Sequence, residues 1–230
     1  MRKGVLLVVI LLLPILIYLF FSTGEHAFMH LPKFYPLDTK TTIVDGKEKT
    51  DTVYHTIPSF KFVNQGGDTI SEQHFDKKIF VADFFFTTCP TICPKMSGQM
   101  KRIQNAYKKR DDFLIISHSV NPEHDSVSVL AEYAKLYGGI SGKWHFVTGK
   151  RNDIYTLGVE GYKLAVDEDP RAPGGFLHSE MFVLVDKEKV IRGYYDGTDS
   201  VQVDKLIEAI KLLAADYIAT KTNTTIIQKH

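Results

Sequence analysis

Only two cysteines, Cys89 and Cys93, and a single tryptophan occur in the 230 residues. So few cysteines exclude a disulfide-stapled mini-scaffold and a four-cysteine zinc site. An excess of charge of one sign is lacking as well. The formal net charge is +1, and the 28 basic side chains less Arg2 and Lys3 leave 26 against 27 acidic ones. Bulk electrostatics therefore leave no footprint for nucleic acid. Internal repeats and low-complexity tracts are absent. With 44% hydrophobic and 24% charged residues, 16 Gly and 9 Pro, the composition is neither disordered nor collagen-like.

Long hydrophobic runs are also scarce, with one exception. Val5 to Phe21 is an unbroken apolar stretch of 17 residues, preceded by Arg2 and Lys3 and followed by Ser22-Thr23-Gly24-Glu25-His26. That length is at the short end of the roughly 17–25 residues that cross a bilayer, and it exceeds a usual secretory h-region. No small-x-small cleavage pattern follows it, and no cysteine offers a lipid attachment point. A retained signal anchor is expected, with Arg2 and Lys3 in the cytoplasm and the remaining chain beyond the membrane. The run begins too near Met1 for an Arg- and Ser-rich mitochondrial presequence, so the expected location is a bacterial cytoplasmic membrane, single-pass, with the soluble domain facing the periplasm. The expected organisation is an anchor over residues 1–25, a linker and β-hairpin extension over 26–56, one domain over 57–220 and a tail over 221–230.

Within the domain, Thr41 to Ile57 alternates around Asp45-Gly46 and predicts a hairpin. Phe60 to Val63 and Ile70 are extended segments separated by Gln65-Gly66-Gly67-Asp68. Lys78 to Phe86 (KIFVADFFF) reads as a central strand buried on both faces. After the cysteines, Met96, Met100, Ile103 and Tyr107 recur at helical spacing. Phe113 to Val120 is the next strand, and Asp125 is the candidate N-cap of a helix ending at Gly138-Gly139. Trp144 to Val147 reads as a strand, Asn152 as the cap of a short helix, Lys163 to Val166 as extended and Asp169 to Gly175 as a loop. Met181 to Asp186 and Val190 to Tyr195 predict a hairpin. Val203, Leu206, Ile207, Ile210 and Leu213 give a closing amphipathic helix. This order predicts an α/β fold, a thioredoxin-like central sheet flanked by helices, with the anchor and the extra hairpin in front.

The cysteines fall just beyond a central strand, at the start of a helix, where open α/β sheets collect ligands. Outside the cytoplasm a thiol pair tends to oxidise unless it is catalytic, actively reduced or metal-loaded. The Cys-x3-Cys spacing puts both sulfurs on one face if the segment is one helical turn, whereas a helix beginning at Pro94 leaves both in the preceding turn. Either arrangement brings them together, and a helix N-terminus favours thiolate. Two thiolates are soft donors that favour Cu(I). Zinc would need two histidines to converge, and one added imidazole would serve Cu(II) as well. Among nine histidines, His178 is the best-placed candidate because it ends a Gly/Pro loop just before a strand. His118 and His124 come next, although a hydrogen-bonded loop role is the plainer reading of both. Met96 and Met100 fit core packing better than thioether ligation.

The segments TTCPTICPKM, SVNPEHD, KWHFVTG and FLHSEMFVLVD resemble the successive signatures of the Sco/SenC copper-protein family over about Ile57 to Ala215, and the amino-terminal anchor resembles the family's as well. The resemblance implies a thioredoxin-like domain that binds copper, Cu(I) and also Cu(II), through Cys89, Cys93 and His178. It further implies a membrane-anchored chaperone serving the binuclear copper centre of cytochrome c oxidase, with subunit II of the oxidase or another copper-accepting protein as partner. Two positions depart from the pattern: Leu177 stands where the family often has Asp, and Asn121 replaces the Asp of its VDPE signature. A metallochaperone is not expected to be an enzyme. The competing reading is a thiol–disulfide oxidoreductase in which one cysteine attacks a partner disulfide and the other resolves it. Family members have also been assigned such a reductase role. A peroxidase would call for a more distant resolving cysteine, and a purely structural disulfide closing so short a loop would stabilise little.

Overall fold

A computed structural model describes residues 12–15, 31–44, 47–168 and 176–227. Of the expected anchor only residues 12–15 are described, as a helical turn, and the rest of Val5 to Phe21 lies outside the described residues. Among the described residues no helix is long and apolar enough to cross a membrane.

Alternation on either side of Asp45-Gly46 produces an antiparallel ribbon, β1 (Pro36–Val44) and β2 (Lys47–Tyr54), in register from Val44↔Lys47 to Asp38↔Val53. The turn residues themselves lie outside the described residues. β3 (Lys61–Asn64) and β4 (Thr69–Ser71) form a second hairpin, followed by a 3-10 turn over Glu72–Phe75. β5 (Ile79–Phe85) is buried at every residue and leads through the cysteine loop into α1 (Ile92–Tyr107). β6 (Phe113–Ser119), equally buried, leads into α2 (Val127–Tyr137). The chain continues through β7 (Trp144–Thr148), α3 (Arg151–Thr156), a π-helical turn over Leu157–Gly161, β8 (Val166–Glu168) and β9 (Phe176–His178). It closes with β10 (Met181–Val185), β11 (Ile191–Asp196) and α4 (Ser200–Ile227).

Seven strands make one mixed sheet in the order β11-β10-β5-β6-β7-β3-β4. The β5–β6 and β6–β7 pairs are parallel, as strand–helix–strand crossovers require, and the hairpins add antiparallel strands at both edges. Successive side chains on β5 point to opposite faces. Phe85 meets Tyr133 of α2 and Phe146, and Phe113 meets Tyr107 of α1, so α1 and α2 cover one face. Phe84 faces the other way, toward His118 and Tyr162.

Two expected helix caps are displaced. Ser126, not Asp125, caps α2, its hydroxyl accepting from the Val129 N–H at 3.5 Å. Asp125 is fully buried and turned inward. Asn152 lies inside α3, whose cap position is Lys150. The end of α2 matches the reading: Gly138 adopts φ 71°, a left-handed conformation that favours glycine.

His118 is fully buried, ringed by Phe60, Phe62, Phe84 and Tyr162. Its Nδ1 has no hydrogen-bond partner, and Nε2 lies 3.4 Å from the Tyr162 hydroxyl. Burial disfavours the imidazolium and lowers the pKa to about 3. The unfolded chain, with an ordinary histidine, binds more protons between pH 6.5 and 3. The stability held above pH 6.5 is therefore lost as the pH falls through that window. From pH 7 to pH 5 this one group is expected to remove about 2 kcal/mol. In urea unfolding at the two pH values, His118→Phe should flatten the acid loss by that amount, and an unchanged slope would refute the assignment.

Candidate metal centre

β5 is apolar to its end, and the chain turns sharply where it leaves the sheet. The Cys89 N–H donates to the Phe86 carbonyl at 3.3 Å, which closes a tight turn over Thr87-Thr88. α1 then starts at Ile92 with Thr91 at the cap position. Cys93 is its second residue and Pro94 its third, so the proline's missing N–H falls among the groups that have no partner within the helix. The start lies between the two alternatives read from the sequence: Cys89 precedes the helix and Cys93 is inside it.

No side chain caps α1 at Thr91. The Cys93 N–H instead points at Cys89 Sγ, 3.5 Å away. The helix dipole reinforces this contact, and both favour negative charge on the Cys89 sulfur. Both residues are thiols rather than a disulfide; Cys89 is 6% exposed and Cys93 is fully buried. The Cys93 thiol pKa is raised, first because Cys93 is hydrogen-bonded to Cys89, then by burial, with the Asp83 charge adding to the effect. The pair is thus asymmetric, with an outer sulfur that accepts and an inner one that keeps its proton until a metal or an oxidant displaces it.

Two polar networks lie in the strands and loops that lead to the site, and neither is evident from residue spacing. Buried Asp83 accepts from the Ser117 hydroxyl at 2.5 Å, and Ser117 accepts from Trp144 Nε1–H at 2.9 Å. Asp125 accepts from the Thr87 N–H at 3.1 Å, the Thr87 hydroxyl at 2.5 Å, the Ser119 hydroxyl at 2.6 Å and His124 Nδ1 at 2.9 Å. The second network ties the loop carrying Cys89 to the loop after β6. An Asp just before a helix reads as a cap, and only the tertiary fold turns it inward.

The histidine candidates separate clearly. His118 sits on the sheet face opposite α1 and is not brought to the cysteines. His124 is half-exposed beside Thr87. His178 ends β9, in register with Val166, and the next residue bonds back through its N–H to the Ala165 carbonyl at 3.1 Å. β10 follows two residues later and runs antiparallel to β5 with Val183 opposite Ala82. Its start therefore lies at the end of the sheet where β5 gives way to the cysteine loop. The side chain of His178 lies outside the described residues, as does the expected loop at Asp169 to Gly175. Among the described residues no three His, Cys, Asp or Glu side chains form a metal cluster. Met96 and Met100 are buried on the core side of α1, consistent with packing.

A groove of about 640 Å³ adjoins the site, lined by Thr87, Val129, Glu132, Tyr133, Lys135 and Leu136. A larger cleft of about 750 Å³, between Phe60, Phe62 and Leu157, opens on the face of the sheet away from the cysteines.

Known proteins match this chain in sequence and fold. The SCO1/SenC family profile matches residues 48–215. The SCO1 protein homolog of Bacillus subtilis is 30% identical over 168 residues, 72% of this chain and 86% of the relative. The structure of BsSco, described as a Sco-family cytochrome c oxidase assembly protein with a disulfide switch, superimposes with a TM-score of 0.62 at 30% identity, over 72% of this chain and 96% of that one. Arabidopsis thaliana ScoI, solved with copper bound, shares the fold at 22% identity and a TM-score of 0.56, over 67% of this chain and 97% of the other. A paired-thiol loop at the end of a buried strand, in a thioredoxin-like sheet matched by a family profile over most of its length, places the chain in the SCO1/SenC family.

Proposed function

We propose that the chain is a membrane-tethered copper chaperone that carries Cu(I) on Cys89 and Cys93 and delivers it to the binuclear copper centre of cytochrome c oxidase. The observation that carries this reading is the pair of thiols converging at the start of α1, with the Cys93 N–H aimed at Cys89 Sγ. Such a pair is a soft site suited to Cu(I). His178, at the same end of the sheet by its place ahead of β10, is the expected third ligand. The copper held by the Arabidopsis relative supports the metal assignment.

Delivery proceeds by ligand exchange. An acceptor thiolate or imidazole binds the ion while one sulfur lets go, so no substrate bond breaks. Burial of both residues limits contact with water and competing oxidants, and the Asp125–Thr87 clamp keeps the loop carrying the outer sulfur in place while the ion transfers. The apolar run Val5 to Phe21 supports anchoring in a bacterial cytoplasmic membrane with the domain on the periplasmic side. Cells lacking the chain should contain oxidase whose subunit II holds less than about a tenth of its copper, restored by the wild type and not by Cys93→Ser. Fully metallated subunit II in the deletion strain would refute the delivery role.

The second reading, thiol–disulfide exchange on partner cysteines, is favoured by the asymmetry of the pair. The accepting sulfur of Cys89 suits attack, and protonated Cys93 suits resolution. The disulfide switch attributed to BsSco is consistent with it.

A further inference from the structure

Cys93 is fully buried and Cys89 only 6% exposed, so an ion arriving from solvent meets the rim of their loop before the inner residue. The imidazole beside that loop is His124, which joins the exposed Thr88 and Thr91 at its rim. Its ring is half-exposed, its Nδ1 lies 2.9 Å from Asp125 Oδ1 and 3.4 Å from the hydroxyl of Thr87, and Thr87 is two residues before Cys89. Asp125 offers only acceptor oxygens, already taken by Thr87 N–H, Thr87 O–H and Ser119 O–H. The proton of a neutral His124 ring must then sit on Nδ1, which leaves the lone pair on Nε2. A carboxylate holding one ring nitrogen so that the other can ligate is the usual support for a metal-binding histidine.

We propose that His124, oriented by Asp125, is a relay ligand: its Nε2 takes copper at the lip of the site and passes it inward to Cys89 and Cys93, and outward by the same route. The inference rests on the copper reading of the cysteine pair. Imidazole is a competent copper donor and a weaker one than two thiolates, so the ion moves on rather than stopping. A relay changes rates in both directions equally and leaves the equilibrium constant unchanged.

The test mixes the reduced full-length chain, in detergent and without oxygen, with the coloured cuprous bicinchoninate complex, and follows loss of colour by stopped flow. Excess bicinchoninate is then used to withdraw the metal. The decisive variant is His124→Asn, whose amide still donates to Asp125 and so keeps the clamp, but which has nothing in the place of Nε2. Uptake and withdrawal are both expected to slow about tenfold, with the final partition of copper unchanged within about twofold. His124→Gln, with a side-chain amide that reaches to about the position of Nε2 but offers no imidazole, should be equally slow. Rates within threefold of wild type in His124→Asn would overturn the relay and leave His124 as a partner of Asp125 alone. Failure of the copper reading itself would look different: the wild type would take no copper, or both cysteine variants would take it as well as wild type.

Discussion

Replacing Arg192 with Met is expected to destabilise the domain by about 3–5 kcal/mol, because it leaves a buried carboxylate without its cation. Asp186 is fully buried and Arg192 is 5% exposed. The guanidinium donates through Nη1 to Asp186 Oδ2 at 2.9 Å and through Nε to the Pro32 carbonyl at 3.0 Å, and its Nη2 donates to the Leu31 carbonyl at 2.5 Å. Asp186 Oδ1 in turn accepts the N–H groups of Glu188 and Val190, which shapes the turn between β10 and β11. One ion pair therefore fixes the edge hairpin and ties Leu31 and Pro32 to the sheet. Urea unfolding of the chain measures the loss. A change below about 1 kcal/mol, the range of exposed pairs, would show that this pair carries no more than a surface salt bridge.

Cys89→Ser and Cys93→Ser are each expected to weaken Cu(I) binding by more than about 100-fold. Loss of a residue that merely orients a ligand already costs 10–100-fold, and a ligand itself costs more. Serine keeps the size of the side chain and lacks the soft donor, so the loss reads ligand chemistry rather than packing. The inner position should be the less tolerant structurally, since Cys93 is sealed against the core at the start of α1 and a serine hydroxyl there needs a partner. Affinity should rise with pH, because copper must displace the proton that Cys93 holds through its raised pKa. Competition against a Cu(I) chelator at several pH values checks both expectations.

The fold was legible where pattern and burial coincide. KIFVADFFF could only be a strand covered on both faces, and Asp45-Gly46 between alternating segments could only be a ribbon. The amphipathic spacing after Cys93 fixed α1 and the face it buries. Local signals failed where a polar residue serves a tertiary purpose. Asp125 and Asn152 sit at the starts of helices with the chemistry of caps, yet Asp125 turns inward to hold Thr87 and Asn152 falls inside α3. His118, a plausible ligand by proximity to a strand end, is on the far face of the sheet because residues alternate sides along β6. At the site, the spacing of Cys89 and Cys93 revealed the thiol pair, but not which sulfur accepts and which keeps its proton. That asymmetry depends on where α1 begins, a matter of one or two residues that spacing does not resolve.

Copper K-edge X-ray absorption on the chain loaded anaerobically with one equivalent of Cu(I) addresses the metal assignment most directly. The account predicts a shell of two sulfur donors and one imidazole nitrogen, with one sulfur lost in either cysteine variant and the nitrogen lost in His178→Ala. A shell of nitrogen and oxygen alone, or a chain that emerges from desalting without copper, would contradict it.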